Sequence, residues 1–479
     1  MLNPQASFNV SGNIIIVQPI ASEIIRKVNV VSRNKGKVIR IGIIVIPLLI
    51  TVVIAYFIVA GTIIHKSLPL VPITTRTART AKTTTSALTN ATTKIATSSS
   101  SSTSSRMTTI PASTVRTSTT NSNTSTSSNS SNSSCQSLTY SSYKSYSTGN
   151  QSWSISIADL DNDNKNDIIV LNAGDNNLGI YYNQGNGTFQ TPIMFQTANY
   201  PVFVGSVDLN MDNKLDLIVA QAKDNSIGLF LGLGNKSFNS RMNIPVGSYP
   251  YGIGIGDFNK DDNLDLVAVN DHANTASVLF GYSNASFKSA STLSTGSYVT
   301  AVAVADFNGD SYLDFVDTDY SSNTVSLFIN YGNGSFQQRI AYPTGTNPWG
   351  IAVADFNHDN YIDVVAVNYN GNTMSVLLGN GNGTLRSQKS YATGQNPMSV
   401  AVADLNNDTH IDIVVANSGS NYLSVFRGYG NGSFTTATSL TTDSSITAVA
   451  IADLNGDGQL DIAATAQNNK TLNILFNIC

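Results

Sequence analysis

The chain has 479 residues, of which 12% are charged, and a formal net charge of −4, so it is longer than one ordinary domain and only mildly acidic on average. That average hides a division: no acidic residue stands between positions 24 and 158, Glu23 is the only glutamate, and all 29 aspartates lie at or beyond Asp159. From residue 135 onward 13 Lys plus Arg face 29 Asp, a balance of −16, which excludes a surface built to bind nucleic-acid phosphates.

Residues 1–40 read as a short tail without periodicity. Residues 41–64 (IGIIVIPLLITVVIAYFIVAGTII) are 24 positions without a charge, enough at about 1.5 Å per residue to cross about 30 Å of hydrocarbon as a helix. A cleaved signal peptide is the rival, but its apolar core is shorter and nearer the start. Six cations precede the segment (Arg26, Lys27, Arg33, Lys35, Lys37, Arg40) and four follow it (Lys66, Arg76, Arg79, Lys82), which predicts a cytoplasmic N-terminus and a single-pass type II protein. Residues 65–134 read as a stalk: 34 of the 52 residues in 83–134 are Ser or Thr. Such a composition cannot repay the entropy of ordering, and it suits an O-glycosylated stem or an unmodified linker.

Residues 135–479 are governed by an internal repeat. Asp159, Asp208, Asp257, Asp306, Asp355, Asp404 and Asp453 each open an acidic nonapeptide, 49 residues apart. In the fifth copy, IAVADF (351–356) alternates, DVVAVN (363–368) is continuously apolar, TMSVLLG (373–379) alternates again, and GNGNG turns into TLRSQKSY (384–391). Four short strands per unit joined by Asn-Gly turns form a meander. Seven such sheets bury their faces by packing radially, so the expected fold is all-β, a seven-bladed propeller of four-stranded antiparallel blades preceded by one transmembrane helix and a disordered stalk.

The seventh repeat stops at LNILFNIC, before its fourth strand. Residues 137–146 fall in register with the missing strand, Tyr140 matching Phe189, Phe336 and Leu385, so the N-terminal end of the domain should complete the last blade. In that register Cys135 and Cys479 fall in the missing turn. A disulfide there would close the ring and contribute roughly 5 kcal/mol in the chain-entropy model; two unpaired thiols are the alternative.

The seven loops read DLDNDNKND, DLNMDNKLD, DFNKDDNLD, DFNGDSYLD, DFNHDNYID, DLNNDTHID and DLNGDGQLD. After the opening aspartate, position three is Asp161, Asn210, Asn259, Asn308, Asn357, Asn406 or Asn455, and position five is Asp163, Asp212, Asp261, Asp310, Asp359, Asp408 or Asp457. Position nine is Asp167, Asp216, Asp265, Asp314, Asp363, Asp412 or Asp461. Position seven shares no side chain (Lys165, Lys214, Asn263, Tyr312, Tyr361, His410, Gln459) and is expected to offer a backbone carbonyl. Hard oxygen donors around a tight turn suit calcium, up to seven ions in all, whereas magnesium demands a stricter octahedron. Asx turns without metal are the structural alternative. Position six calls for a left-handed backbone, which makes Ser311 and above all Thr409 poor fits and the sixth loop the weakest.

The D-x-[DN]-x-D-x-x-x-D loop followed by G-N-G-[ST]-F resembles the FG-GAP or VCBS repeat of the integrin alpha head and related lectins, over residues 135–479, about 70% of the chain. The resemblance implies calcium in the first-to-second-strand loops and ligands on the opposite face. Integrin alpha subunits carry their membrane helix after the propeller, whereas here the apolar segment precedes it.

Six positions before the loop aspartates stand Trp153, Tyr251 and Trp349, candidates to line a central mouth and bind a ligand, with packing between blades as the alternative. Asn186, Asn235, Asn284, Asn333, Asn382 and Asn431 are Asn-x-Ser/Thr sequons at equivalent places, although Asn-Gly is also a favoured hairpin turn. No catalytic constellation emerges, since His65, His272, His358 and His410 occupy unrelated positions. The expected protein is a monomeric, membrane-anchored, extracellular calcium propeller that binds a protein or glycan and no nucleic acid. The alternative is an anchored hydrolase-like enzyme of the Golgi lumen or cell exterior.

Overall fold

The computed structural model describes residues 138–478 throughout and, before them, only backbone strands between residues 6 and 69. Those strands, among them Lys37–Val45, Val52–Val59 and Thr62–Pro69, form a six-stranded antiparallel sheet paired in chain order. They take up part of the 41–64 segment expected as a membrane helix, and the rest of that segment lies outside the described residues. Its dominant Ile and Val suit an extended backbone as well as a helix, and an unbroken apolar run carries no periodicity to separate the two. Among the described residues no helix is long and apolar enough to cross a membrane. The stalk, Cys135 and Cys479 lie outside the described residues.

From residue 144 the chain forms seven four-stranded antiparallel sheets. The fifth is typical, with Pro348–Ala354 innermost, then Asp363–Asn368, Thr373–Leu377 and Lys389–Ala392 outermost. Burial falls from the second strand outward: Asp363–Asn368 is buried at every residue, Thr373–Leu377 at four of five, and Lys389–Ala392 at none. The continuous apolar run of the second strand is thereby explained, since neighbouring blades cover both of its faces. The outermost strands hold on through one half-buried side chain each, such as Tyr146, Phe195, Tyr342 or Tyr391.

Innermost strands of adjacent blades run close together, and small residues make this possible. A Cβ added at Gly350 would lie 2.5 Å from the Met398 carbonyl oxygen, a backbone atom that cannot swing aside. Gly350→Ala is expected to destabilise the domain by about 1–3 kcal/mol through forced separation of two blades. A denaturant midpoint unchanged from wild type would count against this packing.

The ring closes as the register predicts. Lys144–Ser147 pairs with Thr471–Leu475 through Thr471 opposite Ser147 and Ile474 opposite Lys144. Tyr140 bridges Asn477 as Phe189 bridges Asn183 and Leu385 bridges Gly379. The backbone N–H of Ile478 donates to the Thr139 carbonyl at 2.9 Å, so the two ends of the domain run side by side.

Candidate metal centres and the opposite mouth

Each acidic nonapeptide joins the first strand of a blade to the second, and its conformation is built by its own carboxylates. The position-one aspartate accepts the backbone N–H of position six in every loop, as Asp159 does from Asn164 at 2.7 Å and Asp404 from Thr409 at 2.8 Å. Position five accepts the N–H of position seven, as Asp310 does from Tyr312 at 2.8 Å. The apolar side chains at position two, such as Phe258, Phe307 and Leu405, are buried and anchor the loop.

Position nine does more than the spacing revealed. One oxygen of Asp314 accepts the N–H of Phe307 at 2.9 Å, and the other accepts the N–H of Asn330, sixteen residues further on, at 2.8 Å. The same pair of bonds recurs in all seven loops, so this carboxylate clamps the acidic loop to the turn between the third and fourth strands. Burial pushes these carboxyls up, to about 7 in Asp167, Asp265, Asp314, Asp412 and Asp461 and to about 6 in Asp216 and Asp363. The two N–H donors work against this shift, while the aspartates at positions one, three or five add to it. A cation among them would reverse the shift by favouring the ionised form.

In the first loop Asp159, Asp161 and Asp167 each present an oxygen within 4.8 Å of the others, an arrangement able to hold a metal ion. The other loops carry Asn at position three and therefore bring fewer carboxylates together, although an amide oxygen is also a hard donor. The donor set fits a cation on independent grounds. Asp161 Oδ1 and its third-loop counterpart Asn259 Oδ1 are buried and accept no hydrogen bond. Buried acceptors without donors are costly unless a cation satisfies them.

Two local features depart from expectation. Position seven is not merely a carbonyl donor: Lys165 Nζ lies 2.9 Å from Asp163, Lys214 Nζ lies 3.4 Å from Asp212, and Asn263 Nδ2 lies 2.9 Å from Asp261 Oδ1. Position four is left-handed as well as position six, with φ of 61° at Met211, 56° at Lys260 and 60° at His358. Gly309 and Gly456, with Asn162 and Asn407, all at position four, were the available signal. Position six is left-handed throughout, including Ser311 at 67° and Thr409 at 73°. Thr409→Asn, copying Asn164 and Asn213, is expected to stabilise the sixth loop by about 1 kcal/mol, because a β-branched side chain resists this conformation. Thermal melts of the two proteins check it.

Neighbouring loops also touch. Lys236, from the third-to-fourth-strand turn of the second blade, reaches Asp161 at 2.9 Å. Lys260 Nζ sits 3.9 Å above the Tyr312 ring, and His358 Nε2 lies 3.0 Å from His410 Nδ1. Residues 52 to 75 apart in the chain thus meet on the acidic face.

At the other end of the innermost strands Trp153, Tyr251 and Trp349 come together around a central cavity, joined by Val202, Thr300 and Met398. Trp349 is the hub. It stacks on Trp153 (centroids 6.3 Å apart, 21° between planes) and meets Tyr251 at 5.6 Å, Tyr320 at 5.5 Å and Tyr369 at 5.5 Å. The cavity is only about 60 Å³, room for a few waters. The indole Nε1 of Trp153 is buried there without an acceptor.

Seven meandering sheets around an axis, with acidic strand-connecting loops on one face, define a repeat-built β-propeller. The chain belongs to the family described as FG-GAP-like repeat, whose pattern matches residues 159–219, 208–268, 257–316, 318–366, 355–415 and 404–464. No curated protein matches it. Among solved structures it is similar to BBS1N in complex with ARL6DN (13% identity, TM-score 0.53, covering 71% of this chain and 97% of that one). It is also similar to a functionally unknown protein from Desulfotomaculum acetoxidans (14% identity, TM-score 0.49, 65% and 92% coverage). A third similarity is to the V. cholerae biofilm matrix protein Bap1 (10% identity, TM-score 0.41, 72% and 92% coverage). At these identities the likeness speaks to the fold alone.

Proposed function

We propose that the chain is a calcium-loaded recognition propeller, held on the outer side of a membrane by its apolar 41–64 segment and acting in adhesion to a protein or glycan. The anchor and its orientation rest on the sequence alone, through the length of the uncharged run and the cations before it. In this reading calcium occupies the seven acidic loops and stiffens one face, while the ligand docks on the other.

One observation carries the recognition role: aromatic side chains from four blades converge on Trp349, beside a buried indole N–H that lacks an acceptor. A ligand would lie across the aromatic rings at the mouth of the cavity and stack on their faces. Aromatic surfaces with a polar handle suit both glycans and protein anchors. A glycan array and a protein-interaction panel, each run in calcium and in chelator, separate the two. Trp349→Ala is expected to abolish the signal, with a cooperative melt in calcium showing that the variant is still folded, at a lower midpoint. Binding that survives in this variant would place recognition elsewhere.

A further inference from the structure

We propose that the turns joining third and fourth strands are sites of N-linked glycosylation, so that Asn186, Asn235, Asn284, Asn333, Asn382 and Asn431 carry a collar of oligosaccharides on the acidic face and leave the aromatic face bare. The inference rests on the extracellular placement proposed above.

All six asparagines are exposed at the tips of equivalent turns. In each, the hydroxyl of the Ser or Thr two residues on donates to the asparagine Oδ1: at 2.5 Å from Thr188 and Ser433, at 2.6 Å from Ser286, Ser335 and Thr384, and likewise from Ser237. None of the six uses its Nδ2 in a described hydrogen bond, so the atom that takes the sugar is open to solvent. The turns belong to the acidic face, because Lys236 beside Asn235 pairs with Asp161, and the N–H groups of Gly383 and Gly432 donate to the Phe307 and Phe356 carbonyls of the adjacent acidic loops at 3.0 Å.

Other sequons in the propeller are built into the structure instead. Asn150 Nδ2 donates to Asp175 at 2.6 Å, Asn407 Nδ2 donates to Gln459 at 3.1 Å, and Thr471, which completes the Asn469 sequon, gives its hydroxyl to Asp443 at 2.6 Å. A second observation points to a sugar at the turns. Tyr282, Tyr331 and Tyr429, each two residues before the asparagine, are 53%, 62% and 57% exposed. The N–H of Tyr331 closes the turn onto the Ser335 carbonyl at 2.9 Å, which places this exposed tyrosine at the base of the sequon turn. The apolar face of a first sugar would cover such a ring.

The modification is a group transfer from a lipid-phosphate-linked oligosaccharide. The asparagine Nδ2 forms a bond to sugar C1 as the C1–O bond to phosphate breaks. The lipid phosphate leaves with the bonding electron pair, the amide gives up one proton to base, and nothing is oxidised or reduced.

The test is site mapping of the full chain made in a host whose secretory pathway adds N-glycans, with enzymatic release in heavy-oxygen water to mark each modified asparagine as aspartate. Modification of a majority of the six turn sites, with Asn150, Asn407 and Asn469 bare, is expected. Asn123, Asn129 and Asn132 in the stalk report membrane sidedness independently. Modified stalk asparagines with bare turns would overturn the collar and leave the extracellular placement standing, while bare asparagines everywhere would overturn both. Tyr331→Ala should lower the melting temperature of the glycosylated protein by a few degrees and have no effect in an Asn333→Gln background; equal losses in both would remove the sugar contact.

Discussion

Chelation of calcium is expected to lower the melting temperature of the propeller by more than about 15 °C, since several sites each add the free energy of a bound ligand to the folded state alone. The effect should also depend on pH, with a sign the loops determine. Without metal, the position-nine carboxyls have folded values of about 6 to 7, above the ordinary 3.8. A raised folded value means that the native state holds more protons than the unfolded one. The associated stability is complete below about pH 4 and is lost as pH rises through 6 to 7. In chelator, therefore, the domain should melt higher at pH 5 than at pH 8. In calcium the ion competes with those protons, so the stabilisation it confers should grow over the same interval. Calorimetry at both pH values, with and without chelator, measures all four corners. A chelator that leaves the melt unmoved at pH 8 would remove metal from the account of folding.

Asp317→Ala is expected to stabilise the protein by about 1–3 kcal/mol, the cost of a buried polar group without partners. Asp317 lies in the second strand of the fourth blade with relative exposure of 0%, and neither carboxylate oxygen has a well-placed hydrogen-bond donor, the Ser326 backbone opposite giving it only weak support. Counted from the position-nine aspartate, its counterparts are Val170, Val219, Ala268, Ala366, Val415 and Ala464, all of them buried and apolar. Burial first, then the neighbouring Asp319 charge, hold its carboxyl well above the ordinary range, and Arg339 opposes this only in part. Burial thus favours the neutral form of this carboxyl in the folded state. Its contribution to stability is complete below the unfolded value and falls as pH rises toward the folded one. Wild type and variant should accordingly diverge as pH increases. Asp319 differs, because Ser326, Thr324 and the Gly296 N–H all donate to it and Arg339 lies 3.3 Å away. Asp319→Ala should therefore destabilise, and this contrast guards the interpretation against a general effect of removing charge from the blade.

Much of this molecule was readable from one sequence because a repeat restates each local rule seven times. The 49-residue period set the number of blades, the alternating and continuous apolar runs set four strands, and the unfinished seventh copy set the closure, with Tyr140 opposite Asn477. Carboxylate spacing located the loops, and position six declared its left-handed backbone through Asn and Gly. Position four was missed because Met211, Lys260 and His358 conceal the same conformation behind side chains that do not favour it.

What lay beyond the sequence are relations between residues far apart in the chain, which exist only once the ring has closed. The clamp from Asp314 to Asn330, the reach of Lys236 to Asp161 and the gathering of Trp153, Tyr251, Tyr320 and Tyr369 around Trp349 have no signature at any single position. The isolation of Asp317 is of the same kind. In sequence it is another aspartate in an acidic repeat, and only the neighbouring blade, packed against its strand, takes away the water that would have solvated it.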